Sequence, residues 1–394
     1  MKIGLFTETF TPEINGVATS TLTLRDELRR RGHRVFVFTT TTPDAPPVEP
    51  GTFRLPSMPL LVLPSRRVGM FYHPRLADMI RHTGLDIVHT QTEFSLGIFG
   101  RAMASSLDTP HVHTYHTIYE DYTHYLTRGL MDGQSKRAVR HFSRYYCNLC
   151  NRVLVPSQKT KELLLTYNVN RPIDIVPTGV DTSKFDPARF APDEIAALRR
   201  SLGIGGDERV VLNVGRISKE KNLQMVLRGL PPLLKKHPDV RMLLVGGGPY
   251  ADALREISRE EGIEDRVIFA GEQPWETIGM YYALGDVFIS ASTSETQGLT
   301  YIEAMSSGLP VVAKADPCIE GLISHGKTGI LFDEQEQIAP ALEKALFDVD
   351  SMSEIVAEAM EMARKNAVTG FGDKVLSAYE AAIENHGTSA AQAN

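Results

Sequence analysis

The sequence is poor in cysteine and lacks long apolar runs, and both absences exclude classes of protein. The 394 residues include three cysteines, too few for a disulfide framework and suited to a reducing compartment. No uninterrupted apolar run approaches the ~20 residues that a membrane-spanning helix requires. The N-terminal stretch MKIGLFTETF is not typical of a signal peptide, because its apolar run is short and contains Glu8. We therefore expect a protein that is made in, and stays on, the cytoplasmic side.

The charge is unevenly divided along the chain. Residues 1–171 contain 21 Lys and Arg against 14 Asp and Glu, a net charge of +7, whereas the remainder carries −13 within an overall −6. A basic half beside an acidic half indicates that the first half meets an anionic surface. We do not expect that surface to be nucleic acid, because the sequence has no recognised nucleic-acid-binding module.

Short β-rich runs alternate with helical segments throughout, a pattern that predicts parallel sheets. The runs of the first half are KIGLFTE, RVFVFTT, DIVHTQ, PHVHTYHT, RVLVPS and DIVPTG. Those of the second half are RVVLNVG, VRMLLVGGG, RVIFAG, VFISAS, PVVAKA and TGILF. The sequence therefore predicts the α/β class with two doubly wound, Rossmann-like domains, which also fits the chain length.

The join between the two domains is expected near IVPTGVDTSKFDP, where Pro177, Gly179 and Pro187 supply turns. We assign residues 1–176 to the N-terminal domain and 177–371 to the C-terminal domain, with a helix at about 372–386 crossing back to the first. The final HGTSAAQAN is expected to be frayed. Ligands bind beyond the carboxyl ends of strands in such sheets. Two sheets facing across a cleft can therefore hold a donor and an acceptor.

Two loops that follow strands of the second half contain residues suited to a diphosphate. The segment GRISKEKNL places Arg216 and Lys221 after one strand, and two cations can neutralise a diphosphate as it leaves. In SASTSETQGLTYIEAM, Gly298 precedes a predicted helix that starts with Leu299 and Thr300. The first amides of a helix have no partner within it, so those two amides can bind a phosphate.

Two carboxylates flank that predicted helix start. Glu303 lies in the first turns of the helix, where it can accept hydrogen bonds from a pair of ribose hydroxyls, and Glu295 lies in the preceding loop, where it can accept from a sugar beyond the phosphates. An isolated glutamate is most often an ordinary surface residue. The combination with a glycine-flanked helix start and an upstream Arg/Lys loop favours a functional role.

The segments GRISKEKN and SETQGLTYIEAMSSGLPVVA resemble the retaining glycosyltransferases of carbohydrate-active family 4, which have the two-domain GT-B fold. The likeness covers essentially the whole chain, and the Glu-x7-Glu element of that family matches Glu295 and Glu303. An N-terminal glycine loop matches PEINGVATS, so Gly16 and Val17 are expected to line the donor phosphates. His116, in TYHT, matches a histidine that contacts the sugar near its reacting carbon.

The resemblance also implies a site and a mechanism. The implied mechanism is front-face attack by the acceptor with the anomeric configuration retained, and the leaving diphosphate takes the acceptor's proton. It needs no side-chain nucleophile, and it needs no metal because cations and backbone amides stabilise the leaving group. No other cofactor is implied, since the nucleotide sugar is itself a substrate. The residues implied in catalysis are His116, Arg216, Lys221 and Glu295. The residues implied in donor binding are Gly16, Val17, Arg216, Lys221, Glu295, Gly298, Leu299, Thr300 and Glu303.

The segment DGQSKRAVRHFSRYYCNLCNRV reads as a basic amphipathic helix. Apolar residues follow helical spacing on one face, at Ala138, Phe142, Tyr145 and Leu149. Basic residues crowd the remainder, at Lys136, Arg137, Arg140 and Arg144. Helices of this kind lie on anionic membrane surfaces, so we predict that Phe142 and the four basic residues bind a membrane. The alternative is that the apolar face packs on the first sheet.

A narrower resemblance points to the acceptor. The segments TYHTIYEDYTHYL and SETQGLTYIEAM are similar to those of bacterial diacylglycerol α-glucosyltransferases. This implies transfer of a hexose, glucose from UDP-glucose, to the 3-hydroxyl of 1,2-diacylglycerol on the inner face of the cell membrane, where the protein is peripheral. The loops from Glu8 to Thr19 and from Tyr115 to Tyr125 are the expected acceptor pocket. No oligomeric state is predicted.

Three other functions fit part of the pattern. A family 4 enzyme acting on a soluble acceptor, such as an inositol or a malate-like compound, needs no membrane. A nucleotide-sugar epimerase uses the same fold and converts the sugar without an acceptor. A non-catalytic, membrane-associated sensor of a nucleotide sugar is disfavoured, because the Arg216, Lys221, Glu295 and Glu303 set is intact.

Overall fold

The computed structural model describes residues 1–13, 15–42, 45–46, 48–60, 63–69, 71, 73–119 and 132–393. The chain forms two compact units: Met1–Gly179 with Val368–Asn394, and Val180–Ala367. The chain passes from one unit to the other at 179/180 and 367/368. The sequence placed these two boundaries at 176/177 and 371/372, three and four residues from the observed positions. At the first boundary the two passes of the chain come close together, because a Cβ at Gly179 would lie 2.5 Å from the Cα of Val368.

The first unit is built on a seven-stranded sheet in which every pairing is parallel, in the order β3-β2-β1-β6-β7-β8-β9. Its strands are β1 (Lys2–Phe6), β2 (Arg34–Thr40), β3 (Thr52–Leu55), β6 (Ile87–Thr90), β7 (His111–Thr114), β8 (Arg152–Val155) and β9 (Ile173–Ile175). Strands β4 (Ser57–Leu60) and β5 (Leu63–Gly69) form a separate antiparallel pair. The helices described in this unit are α1 (Gly16–Arg30), α2 (Pro74–Thr83), α3 (Ser95–Ser106), α4 (Asp132–Asn148), α5 (Gln158–Thr166) and the C-terminal α14 (Val368–Ala393).

The strands of this sheet are apolar on both faces because helices cover both faces. In β1, Ile3 and Leu5 belong to one core cluster, which includes residues of α1 and α14. Phe6 belongs to the opposite cluster, where its ring stacks on Phe38 at 4.5 Å. The alternation of side chains along a strand therefore divides this core into two layers.

The second unit repeats the plan with six parallel strands in the order β12-β11-β10-β13-β14-β15. Its strands are β10 (Arg209–Val214), β11 (Val240–Val245), β12 (Val267–Gly271), β13 (Val287–Ser290), β14 (Val311–Lys314) and β15 (Ile330–Phe332). Its helices are α6 (Pro192–Ser201), α7 (Leu223–Gly229), α8 (Pro231–Lys236), α9 (Ala251–Glu260), α10 (Ile278–Leu284), α11 (Leu299–Ser306), α12 (Ile338–Phe347) and α13 (Val349–Lys365). The fold class expected from the sequence, two parallel α/β sheets, is confirmed.

The C-terminal helix α14 returns to the first unit and completes one layer of its core. It buries Phe371, Val375, Tyr379 and Ala382 against residues of β1, β2 and α1. The helix is longer than the 372–386 expected, because it begins at Val368 and extends to Ala393. The alanines near its end favour helix. No helix in the described part of the chain combines the length and the apolar character needed to cross a membrane.

Candidate active site

The loops that follow β10 and β13 lie side by side, because these two strands are neighbours in the sheet. The side-chain amide of Asn213, in β10, donates a hydrogen bond of 2.7 Å to the backbone carbonyl of Ile289, in β13. Lys221 comes from the first loop and Glu295 from the second, and the Lys221 ammonium donates to Glu295 Oε1 at 2.5 Å. The structure thus brings together two residues that the sequence could only place 74 positions apart.

The two predicted diphosphate-binding cations both have acidic partners here. Besides the Lys221–Glu295 pair, the Arg216 guanidinium lies 2.5 Å from Glu220, four residues along. The side chain of Arg216 is 43% exposed and that of Lys221 is 26% exposed. Both cations are therefore within reach of a ligand in solution.

A glycine loop after β11 fixes the peptide that carries Arg216. Gly248 has φ 153°, and a Cβ there would lie 2.2 Å from the carbonyl oxygen of Ile217. A Cβ at Gly246 would lie 1.9 Å from the carbonyl oxygen of Gly215. The amide of Ile217 donates to the carbonyl of Gly247 at 2.7 Å. The segment LLVGGGPY is therefore a packing turn, and what it packs against is the loop of Arg216.

Gly298 marks the start of α11 and has a left-handed backbone, with φ 79°. A Cβ at this position would lie 2.5 Å from the ring of Tyr301, so conformation and space both require glycine. Glycine offers no side-chain cap, and Leu299 and Thr300 form the first turn, half-buried. The helix start predicted from the sequence is therefore in place.

Glu303 is buried within α11, with 6% of its surface exposed. Its Oε2 accepts a hydrogen bond of 2.6 Å from the hydroxyl of Tyr282, in α10. Burial raises the pKa of this carboxyl to about 7, against an opposing effect of the Tyr282 hydrogen bond. Tyr282 could not be identified from the sequence, because it lies 21 positions upstream in a helix with no motif of its own.

Three serines in the same loops were also missed. The Oγ atoms of Ser218, Ser292 and Ser294 are buried and have no hydrogen-bond partner among the described residues. A buried hydroxyl without a partner costs roughly 1–3 kcal/mol. Such atoms beside Lys221 and Glu295 in the chain indicate a region that a polar ligand or water completes.

In the first unit, polar residues collect at the carboxyl ends of β1, β6 and β7. Glu8, after β1, accepts hydrogen bonds from the amide of Leu96 at 2.5 Å and from Ser95 Oγ at 3.1 Å. It thereby caps α3, whose own preceding residue provides no side-chain cap. Burial raises the pKa of the Glu8 carboxyl. Glu93, after β6, is also buried, and it faces His113 Nε2 at 3.1 Å.

His116, the histidine singled out by the sequence, is half-buried just beyond the end of β7. Its Nε2 lies 2.7 Å from Gln91 Oε1. Burial, with a further effect of His113, lowers the pKa of His116 to about 3, so its imidazole is neutral at physiological pH. The expected acceptor segment 115–125 is described only up to residue 119.

Gly16 and Val17 lie at the start of α1, where Asn15 provides the N-cap. The Asn15 side chain accepts hydrogen bonds from the amides of Val17 at 3.1 Å and Ala18 at 3.0 Å. A Cβ added to Gly16 would meet no atom within 4 Å, so the space around it is open. A phosphate contacting the Val17 amide would therefore have to replace the cap.

Helix α4 presents to solvent the apolar residues that the sequence assigned to one face. Ala138, Phe142 and Tyr145 are exposed, as are the basic residues Arg137, Arg140 and Arg144, and Lys136 is half-buried. The helix packs on the unit through another face instead, which buries Ser143, Tyr146 and Cys147. Cys147 and Cys150 are buried free thiols.

The exposed surface of α4 continues onto the start of α3. The ring of Phe142 stacks on Phe94 at 6.3 Å, and Phe94 and Ile98 are 47% and 40% exposed. Neither Phe94 nor Ile98 has a signal in the sequence, because they lie 38 and 34 positions before the start of α4 in a segment without a motif. We call the set of Phe94, Ile98, Phe142 and Tyr145 the aromatic patch.

The chain is similar to known proteins over most of its length. Residues 14–184 match the family model Glycosyltransferase Family 4, and residues 194–364 match Glycosyl transferases group 1. The alpha-monoglucosyldiacylglycerol synthase of Streptococcus pneumoniae is 39% identical over 98% of this chain and 87% of its own length. The enzyme of the same name from Acholeplasma laidlawii is 32% identical over 87% of both chains.

Among solved structures, that of Anabaena Alr3699/HepE in complex with UDP-glucose superposes with a TM-score of 0.76, at 20% identity over 97% of this chain and 100% of that one. WaaG, a glycosyltransferase of lipopolysaccharide biosynthesis, gives a TM-score of 0.70 at 16% identity, over 95% and 98% of the two chains. The protein is a glycosyltransferase with the GT-B fold. Within that class, it belongs to the family of the alpha-monoglucosyldiacylglycerol synthases.

Proposed function

We propose that the protein transfers glucose from UDP-glucose to the 3-hydroxyl of 1,2-diacylglycerol, with retention of configuration, to give an α-monoglucosyl-diacylglycerol. The observation that carries this proposal is the contact between Lys221 and Glu295 beside the uncapped start of α11. It places a cation, a carboxylate and helix-terminal amides at one edge of one sheet. The names of the two curated relatives support the choice of sugar and acceptor.

In this proposal the Lys221–Glu295 pair is opened by the donor. The diphosphate attracts Lys221 and Arg216 away from their carboxylate partners, since it carries more charge than either. Glu295 is then free to accept hydrogen bonds from hydroxyls of the glucose. The amides of Leu299 and Thr300 bind the phosphates at the start of α11. Glu303, held by Tyr282, accepts from the ribose hydroxyls.

The chemistry follows from those contacts. The bond between the anomeric carbon and the diphosphate oxygen breaks, and a bond from that carbon to the diacylglycerol oxygen forms on the same face. The proton of the acceptor hydroxyl passes to the leaving diphosphate, so the products are UDP and the glycolipid. Arg216 and Lys221 stabilise the charge that develops on the leaving oxygen. No metal or other cofactor enters this scheme, and Gly16 and Val17 are proposed to contact the donor phosphates.

The acceptor is a lipid, so the proposal includes a peripheral position on the inner face of the cell membrane. Arg137, Arg140 and Arg144 would face the anionic headgroups, and the aromatic patch would enter the interface. This is supported by the exposure of both sets of side chains. Each basic residue near such a surface contributes about 1 kcal/mol.

Mass spectrometry of the products is the direct test. The protein is offered UDP-glucose, UDP-galactose, UDP-N-acetylglucosamine and GDP-mannose in turn, with diacylglycerol in anionic vesicles, and a parallel series replaces the lipid with an inositol. The proposal expects a hexosyl-diacylglycerol from UDP-glucose. Product from the inositol series alone would establish the soluble-acceptor alternative, and a converted sugar without any acceptor would establish an epimerase.

A further inference from the structure

A chain of hydrogen bonds connects the C-terminal helix to His116 within the first unit. His89 Nδ1 lies 2.7 Å from the hydroxyl of Tyr379, in α14. His89 Nε2 lies 3.0 Å from Gln91 Nε2, and Gln91 Oε1 lies 2.7 Å from His116 Nε2. We call Tyr379, His89 and Gln91 the relay. Tyr379 and His116 are 263 positions apart in sequence and are connected by three hydrogen bonds.

The relay is shielded from water. Tyr379 and His89 have no exposed surface, and Gln91 is 2% exposed. The two rings at its inner end pack edge-to-face at 5.5 Å. His116, at the outer end, is half-buried and so reaches the carboxyl edge of the sheet. The relay therefore links a protected interior to one side chain at the candidate site.

The chemistry of the amide sets the direction of these hydrogen bonds. Gln91 Nε2 can only donate, so His89 Nε2 must accept, and its single lone pair is shared with the hydroxyl of Thr114, whose Oγ1 lies 2.7 Å away. Burial lowers the pKa of His89 well below its usual value, so its ring is neutral and holds its one proton on Nδ1, which donates to Tyr379. Gln91 Oε1 can only accept, so His116 must donate from Nε2.

We propose that Tyr379 is a positioning residue for His116: through His89 and Gln91 it holds the imidazole as the Nε2–H tautomer, so that Nδ1 accepts a hydrogen bond from a hydroxyl of the transferred sugar. This inference rests on the proposed function for its last step. The first step concerns the tautomer of the unliganded protein. It can be measured without any substrate.

Tyr379→Phe removes the accepting hydroxyl and keeps the ring. We expect ¹⁵N NMR of histidine-labelled protein to show His116 as the Nε2–H tautomer in the wild type and as a mixture in the variant. We expect kcat to fall about tenfold, the effect of one buried hydrogen bond on the reacting geometry, with little change in KM. The His116 signals are assigned by their loss in His116→Gln.

Val375→Ala is the matched control for a purely structural effect. Val375 is also fully buried in α14, one turn before Tyr379 and in the same core cluster, but it takes no part in the relay. It should lower Tm and leave the His116 spectrum and kcat near wild type. Gln91→Leu breaks the relay without altering α14, so it provides the test again should Tyr379→Phe fold poorly.

Two results would overturn the inference: an Nδ1–H tautomer for His116 in the wild type, or an unchanged His116 spectrum in both Tyr379→Phe and Gln91→Leu. Failure of the proposed function looks different. In that case the wild type forms no glycolipid from any sugar donor, whereas the tautomer and its response to the variants are as described.

Discussion

At the scale of single residues, the two cations of the candidate site are the most direct targets. Arg216→Ala and Lys221→Ala should each lower kcat about a hundredfold, because in the proposed mechanism each side chain provides a charge that stabilises the leaving diphosphate. Circular dichroism and Tm should stay near wild type, since both side chains lie partly exposed in a loop. Product formation under saturating donor is the measurement.

Lys236→Ala is the control for loss of a lysine ion pair. Lys236 pairs with Glu343 in the same unit, and its side chain is 63% exposed. The kcat of Lys236→Ala should equal that of the wild type. Near wild-type rates in both Arg216→Ala and Lys221→Ala would instead show that the diphosphate is bound elsewhere.

The proposed contact between Glu303 and the ribose predicts that donor binding depends on pH. Burial raises the pKa of its carboxyl to about 7 from 4.5, and ribose hydroxyls donate better to the ionised form. We expect the Kd of UDP-glucose to fall roughly tenfold between about pH 5.5 and about pH 8, with release of a proton on binding. Calorimetry in buffers of different ionisation heat measures both. UDP-glucose is the suitable ligand because its diphosphate does not titrate in this range.

The Glu303 carboxyl also makes the stability of the protein depend on pH. A pKa raised in the folded state means that the folded protein binds the proton more tightly than the unfolded chain does. Protonation of Glu303 therefore stabilises the folded protein. This stabilisation is fully present below pH 4.5 and is lost as the pH rises through about 7. Glu303→Gln should remove both pH dependences. A variant that kept the pH dependence of donor affinity would assign it to another group.

At the scale of elements, the glycine loop after β11 is predicted to control Arg216. Gly248→Ala forces a Cβ against the carbonyl of Ile217 and an unfavourable φ, at a cost of at least about 1 kcal/mol. The loop of Arg216 must shift, so we expect kcat to fall as well as Tm. Gly206→Ala is the matched control, because a Cβ there meets no atom within 4 Å. Wild-type Tm and kcat in Gly248→Ala would contradict this role.

The sequence predicted the strands and helices better than it predicted which of their faces pack together. The alternation of apolar runs and helices identified both sheets, because periodicity depends on local residues alone. Spacing could not decide which face of α4 packs inward. It grouped Ala138, Phe142 and Tyr145 on one apolar face, predicted to meet a membrane, with packing on the first sheet as the alternative. The structure exposes these three residues and buries Ser143, whose hydroxyl lies 3.0 Å from that of Tyr115. A polar residue with a partner from another element looks exposed in sequence.

The candidate site shows the same limit. The loops of Arg216, Lys221, Glu295 and Glu303 were identified because their residues follow strands, where parallel sheets bind ligands. Their partners were not, since Tyr282 and Gln91 lie 21 and 25 positions from the residues they contact. Tyr379 lies 290 positions from His89. Only the fold brings such residues together.

At the scale of the whole molecule, attachment to a membrane should depend on α4. Replacing Arg137, Arg140 and Arg144 by glutamine removes three positive charges from an exposed helix face. At about 1 kcal/mol each, partition onto anionic vesicles should weaken by roughly a hundredfold. Cosedimentation with vesicles of anionic and zwitterionic lipid measures this change. The loss should be confined to the anionic vesicles.

An equal change of charge elsewhere is the control for net charge. Arg228, Arg259 and Arg364 of the second unit are 46%, 54% and 64% exposed. Their replacement by glutamine should leave vesicle binding near wild type. Equal losses in the two triple variants would mean that overall charge, and not α4, governs attachment.

The return of α14 to the first unit has a consequence for how the protein is made. Residues 180–367 form one uninterrupted unit, whereas the core of the first unit lacks Phe371, Val375 and Tyr379 until the last helix emerges from the ribosome. At ordinary rates of translation, the intervening segment takes roughly ten to forty seconds to synthesise. The half of the protein that is translated first is therefore the last to be finished, and for that interval its nascent apolar surface needs protection from aggregation.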